Sequence, residues 1–153
     1  MNWNNYFYVP FLKTLDAEFK AIQELTPEVK AKILPFVILT KGRASSKASL
    51  EKNPDKINGD INKNLQKWKD AFDELCPFFL DLSSEEVRQN DQIKDLIAPD
   101  GGYHNWVQFV IEKKKEFPEI IPLVQINDEL DTSGGNNRKL QLEALLKNFD
   151  YVG

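Results

Sequence analysis

The chain has 153 residues, 41% of them hydrophobic and 29% charged, with a formal net charge of -4. That length suits one domain able to bury roughly two-thirds of its unfolded surface, and that composition excludes disorder of the whole chain. The acidic balance argues against a general nucleic-acid binder, which needs a concentrated basic face to release counterions.

A proline followed by an apolar run recurs at Val9-Pro10-Phe11-Leu12, Leu34-Pro35-Phe36-Val37, Cys76-Pro77-Phe78-Phe79 and Ile121-Pro122-Leu123-Val124. Each run is short, and each precedes a stretch with helical spacing, which is the pattern of a repeated strand-helix unit. The first strand is expected over Tyr8 to Lys13, with Asp16 as N-cap of a helix that turns Phe19, Ile22 and Leu25 to one side. Thr26-Pro27-Glu28 restarts a helical turn, because proline suits the first helical position, and Ile33 to Thr40 is the second strand.

Residues 41–56 hold Gly42, Asn53-Pro54 and few apolar anchors, and are expected to form a mobile loop. From Ile57, the residues Ile61, Leu65, Trp68, Phe72 and Leu75 fall at intervals of three and four on one helical stripe. Strand three spans Pro77 to Leu82, and Ser83 and Glu86 have capping-box spacing before a short helix. Pro99-Asp100-Gly101-Gly102 breaks the chain ahead of an amphipathic helix marked by Tyr103, Trp106, Val107, Val110, Ile111 and Phe117, with Lys113 to Lys115 on its outer face. Strand four runs from Ile120 to Asn127, and Leu142, Leu145, Leu146 and Phe149 define a last helix. Phe149 to Gly153 has the character of a fifth strand's opening.

The expected fold is α/β, with four strand-helix units in one domain over residues 1–153, or the N-terminal part of a longer barrel. Parallel strands with right-handed crossovers give either half of a TIM-barrel-like fold or a small open parallel sheet covered on both faces. A proline cannot donate a ladder hydrogen bond, so all four are expected at the first residue of their strands. The loops leaving the strands after Thr40, Leu82 and Asn127 are long and polar, which marks the C-terminal rim as the functional face. The lone Cys76 excludes an intramolecular disulfide and suits a reducing compartment. The start at Met1 to Asn5 has no signal-peptide pattern and no apolar run reaches membrane-spanning length, so a cytoplasmic protein of a bacterial host cell, away from the membrane, is expected.

The stretch Tyr8-Val9-Pro10-Phe11-Leu12-Lys13, then Glu18, Ala21, Leu25 and Ile33-Leu34-Pro35-Phe36, resembles the opening of the phage beta protein family. Pro77 to Leu82 and Ile121 to Ile126 are similar to that family's later strands. The resemblance implies a protein of phages or bacteria, built in its longer members from more strand-helix units, and implies no particular activity. Ile38 stands where the family's second strand often carries a carboxylate, so no carboxylate chemistry is inherited at that position.

Polar residues near strand ends are the candidate site: Lys13, Thr40, Asp81, Gln125 and Asn127. Lys13 and Glu18 form either a structural salt bridge or, if desolvated, an acid-base pair, because burial moves the two pKa values toward each other. Asp81 lies between Leu80 and Leu82, so its side chain leaves the strand on the opposite face to theirs, as a site carboxylate or as a cap to the next loop. His104, at a helix start after two glycines, is a further binding candidate, with surface capping as the ordinary alternative. No metal-ligand spacing or cofactor motif is present, so no cofactor is expected. The expected function is noncatalytic: a phage or bacterial accessory protein in phage-host conflict that binds a protein partner, or a second copy of itself, through the rim or a strand edge. The alternative is the N-terminal half of a barrel enzyme, a hydrolase or phosphoester-acting protein using Lys13, Glu18 and Asp81.

Overall fold

A computed structural model describes residues 3–42, 59–72 and 76–153. Among these, four strands form one all-parallel sheet in the order β1-β2-β3-β4, the order in which they occur along the chain. They are β1 (Phe11–Lys13), β2 (Phe36–Leu39), β3 (Phe78–Leu82) and β4 (Ile120–Pro122). Six α-helices accompany them: α1 (Asp16–Gln23), α2 (Pro27–Lys30), α3 (Ile61–Phe72), α4 (Asp91–Leu96), α5 (Asp100–Lys113) and α6 (Asn136–Leu146). The fold is thus α/β with a small open parallel sheet, as expected. No helix among the described residues is long and apolar enough to cross a membrane.

Each strand follows another immediately beside it, and right-handed crossovers between such neighbours lay every helix on the same face of the sheet. The burial pattern agrees. Val37, Leu39, Phe78, Leu80 and Leu82 are buried with Phe19, Leu65, Trp68, Ile93, Trp106 and Val110 from the helices in one core. Trp68 meets Phe72 and Phe78 at ring centroid distances of 4.5 and 5.5 Å, and Phe78 meets Phe117 edge-on at 5.8 Å. Among the described residues the helices cover a single face, which corrects the expected cover on both faces.

The other face carries the alternate residues. The register sets Phe11 beside Phe36, Phe36 beside Phe79, and Phe79 beside Ile121. Phe11 stacks on Phe36 at 4.6 Å and Phe36 lies 5.8 Å from Phe79, making an aromatic row across three strands. Near β4 the row is flanked by Leu123 and Gly153, where a Cβ on Gly153 would lie 3.4 Å from the Phe79 ring. At the β1 end it is open: Phe11 is 69% exposed, and Phe7 and Tyr8 are 80% and 64% exposed.

Strand boundaries are shorter than the sequence suggests, and the prolines explain it. Pro10, Pro35 and Pro77 sit one residue ahead of their strands, while Pro122 closes β4 rather than opening it. The carbonyls of Pro10 and Pro35 still accept from Phe36 N (2.8 Å) and Phe79 N (2.9 Å), so each proline serves the ladder as an acceptor only. Val9-Pro10 splits the first expected strand into a bridge at Tyr8 to Ile33 and the three residues of β1. Leu123 N donates toward β3, to Leu80 O at 3.0 Å, so by alternation the nitrogen of Pro122 faces the outer edge, where no β3 acceptor is lost. On that edge Gly153 N donates to Pro122 O (3.1 Å) and Val124 N to Gly153 O (2.8 Å), the two bonds of a parallel bridge. No fifth strand forms among the described residues; the one expected there is reduced to this single pairing.

Local details differ in three helices. Leu15, not Asp16, precedes α1 in extended geometry, and Asp16 is its first residue. Ser83 and Glu86 make no capping box: Ser83 Oγ accepts from Glu85 N in a tight turn, and Asn90 Oδ1 caps α4 by accepting from Ile93 N at 3.1 Å. In α6 the buried positions are Gln141 and Leu145, with Phe149 just beyond, while Leu142 and Leu146 are exposed. Of the loop expected over 41–56, only Lys41 and Gly42 fall within the described residues, as do only residues 59–72 of the stretch from Ile57 to Leu75 expected to be helical.

Candidate functional site

The carboxyl ends of the strands converge on one rim, where loops leave the sheet. The register places Lys13, Ile38 and Asp81 in one row across β1, β2 and β3 on the open face. Strands two apart are separated by about 10 Å, so Ile38 lies as an apolar spacer between Lys13 and Asp81 and the two do not pair. Lys13 instead reaches Glu85 in the loop after β3, and Glu85 also accepts from Arg88 Nε at 2.7 Å. The expected Lys13 to Glu18 pair is not formed. Glu18 lies on α1, with Oε2 buried and without a hydrogen-bond partner among the described residues. The hydrogen bonds from Lys13 and Arg88 hold the Glu85 carboxyl below the usual carboxylate range.

Asp81 occupies the open face, as the alternation with Leu80 and Leu82 requires. Its Oδ1 accepts from Leu82 N at 2.8 Å and from Gln125 Nε2 at 2.9 Å. Burial raises its pKa, and the two hydrogen bonds oppose that rise without cancelling it. Gln125 is buried and is itself fixed by α6: Gln141 Oε1 accepts from Gln125 N at 2.7 Å. The result is a relay from α6 to β4 to β3 that orients the Asp81 carboxyl.

Beside this pair lies a groove of about 820 Å³, bounded by the end of β3 and its loop, by α4, and by residues 124–130 after β4. Asn127 lines it but spends its groups on structure: its N–H donates to Tyr103 Oη at 2.9 Å, and its Oδ1 accepts from Leu130 N. Burial likewise raises the Tyr103 pKa, opposed in part by the Asn127 N–H. Tyr103 is fully buried with φ of 56°, following Gly101 and Gly102 at 59° and 75°. This left-handed run displaces the start of regular α5 and delivers the phenol under the rim.

Thr40 ends β2 in a second network. Its N donates to Thr14 Oγ1 at 2.8 Å, the two hydroxyls lie 3.1 Å apart, and Asn64 Nδ2 donates to Thr40 O at 2.7 Å. Thr14, Thr40 and Asn64 are all buried, so this cluster staples β1, β2 and α3 and offers no open group. His104 is exposed and outside the groove lining. The structure therefore brings Asp81, Gln125 and Asn127 together and separates Lys13, Glu18, Thr40 and His104 from them.

Sequence reasoning passed over Gln141, Asn64, Thr14 and Tyr103. Two had a signal: Asn64 falls beside Leu65 in the stripe Ile61, Leu65, Trp68, Phe72, and Gln141 precedes Leu145 and Phe149 at steps of four. A polar residue at a core-facing helical position needs a buried partner, and both have one.

The family model described as Beta protein matches residues 8–144. The chain belongs to the Beta protein family. It is 29% identical over 126 residues to Protein beta of Enterobacteria phage P4, across 82% of this chain and 30% of that protein. The chain thus spans less than a third of that curated relative's length. No solved structure matches. The match begins at Tyr8, ahead of β1, and ends at Ala144 in α6, so all four strands of this Beta protein member lie inside it. Among the described residues there is no group of His, Cys, Asp and Glu able to hold a metal ion.

Proposed function

We propose that this Beta protein member acts by protein association in phage-host conflict, with a second copy of the chain closing the uncovered face of its sheet. The observation that carries this reading is the aromatic row Phe11, Phe36 and Phe79, continued at the β1 edge by exposed Phe7, Tyr8 and Val9. An apolar face of this kind, beside an unpaired strand edge, is a surface that soluble chains cover. Four sequential parallel strands with helices on one side have the arrangement of half an eight-stranded barrel, whose interior face is filled by side chains. Two copies related by a twofold axis along the barrel supply eight strands, and each offers its β1 edge to the other's β4 side.

The test is the solution mass of the purified chain by light scattering. The reading expects about twice the monomer mass of 17.7 kDa, and a return to monomer with retained helicity in Phe11→Asp. A wild-type chain that stays monomeric at tens of micromolar overturns it.

A further inference from the structure

The groove at the C-terminal rim has a chemical bias that the association reading does not use. Gln125 is 6% exposed, lines the groove, and gives its Nε2 to Asp81. Its Oε1 has no partner among the described residues, and neither has Asp81 Oδ2, because both bonds to that carboxyl fall on Oδ1. Neither atom is among the sealed, unsatisfied polar atoms of the interior, so both remain open to a ligand. The orientation is built rather than incidental, since Gln141 of α6 holds the Gln125 backbone and Gln125 holds Asp81.

The remaining groove charges favour the same kind of ligand. Among the described residues, Glu86, Asp128 and Glu129 face it with Asp81, against one cation, Lys94. Arg138 reaches Asp128 at 3.4 Å from an exposed position and leaves the other acids of the rim uncompensated by itself. Apolar groups of Leu82, Ile97 and Val124 complete the lining and suit a short alkyl chain.

We infer that the Asp81 and Gln125 acceptors form a binding site for a small organic cation, an alkyl ammonium or guanidinium whose N–H groups reach Asp81 Oδ2 and Gln125 Oε1. The charge-assisted bond to the carboxylate is the stronger of the two contacts, and the amide carbonyl sets direction. The acceptors all come from one chain, at the carboxyl-end rim of the face that the proposed second copy would close.

The experiment is a titration of the full chain with agmatine, which carries a guanidinium and an ammonium, followed by amide chemical shifts at pH 7 and low salt. Saturable shifts are expected at Gln125, Asn127 and Leu82. Asp81→Asn keeps an acceptor for Gln125 while removing the charge, and is expected to weaken agmatine binding at least tenfold. Gln125→Met, close in volume, is expected to weaken it several-fold and serves if Asp81→Asn does not fold. The double variant Asp128→Asn, Glu129→Gln lowers the general acidity of the groove and is expected to weaken binding less than Asp81→Asn does. Absence of saturable shifts in the wild type overturns the inference. So does equal affinity in Asp81→Asn, or a larger loss in the Asp128, Glu129 variant than in Asp81→Asn, since either assigns the attraction to general acidity of the rim.

Discussion

Gln125 Nε2 donates to Asp81 Oδ1 at 2.9 Å across the carboxyl ends of β4 and β3. This bond joins residues 44 positions apart and does more than brace the sheet, because it decides which oxygen of Asp81 stays open. Its energetics are readable through pH. The folded-state pKa of Asp81 is raised from its ordinary value, chiefly by burial, so the protonated form is the better tolerated one in the fold. The associated stability is fully present below the unfolded-state value and is lost as pH rises through the folded-state value. Urea denaturation of the wild type and Asp81→Asn between pH 3.5 and 7 is expected to show the variant gaining relative stability as pH increases. A flat difference across that range contradicts the assignment.

Gly102 is a second sensitive point. Its φ is +75°, and a Cβ there would approach Leu140 Cβ to 2.6 Å and Gln141 N to 3.2 Å. Gly102→Ala is expected to cost about 1–3 kcal/mol, from the left-handed backbone together with the contact against α6. Thermal denaturation checks this, and a loss concentrated in α6 amide protection is the expected signature.

Tyr103 links α5 to the loop after β4. Tyr103→Phe keeps the buried ring and leaves Asn127 N–H without its acceptor, at an expected cost of about 1–2 kcal/mol. Tyr103→Ala also empties a fully buried site, and about 3–5 kcal/mol is expected. Chemical denaturation of both variants separates the hydroxyl from the ring.

Cys76 offers a chemical check on packing. Burial pushes its thiol up to about 12, so little thiolate exists at pH 8 in the folded chain. Alkylation by iodoacetamide at pH 8 is expected to run at least ~10²-fold slower in the native protein than in urea, given the ordinary thiol value near 8.5. Comparable rates would mean that the packing around Cys76, ahead of β3, opens freely.

The strand-helix alternation was legible because each apolar run is short and each helix keeps a regular stripe, and all four strands appear where the runs stand. Strand lengths were not, because Pro10 and Pro122 interrupt ladders whose apolar content continues past them. The opposite-facing position of Asp81 followed from the pleat alone. Its partner did not, since a contact between positions 81 and 125 depends on how β3 and β4 lie side by side. Lys13 shows the same limit: Glu18 is near in sequence, yet Glu85, 72 positions away, is near in space. In α6 the leucines at 142 and 146 suggested the buried stripe, whereas Gln141 takes the core position because the Gln125 backbone needs an acceptor there.

The sheet's sequential order has a further consequence. A strand added beyond β4 with its helix on the covered side meets only its immediate predecessor, and the pairing of Gly153 with Pro122 and Val124 already lies in that direction. An architecture in which each new unit touches only the last can lengthen by whole units without disturbing the earlier ones. The Asp81 site, completed by residues of β3, the segment after β4 and α6, would keep its geometry under such growth.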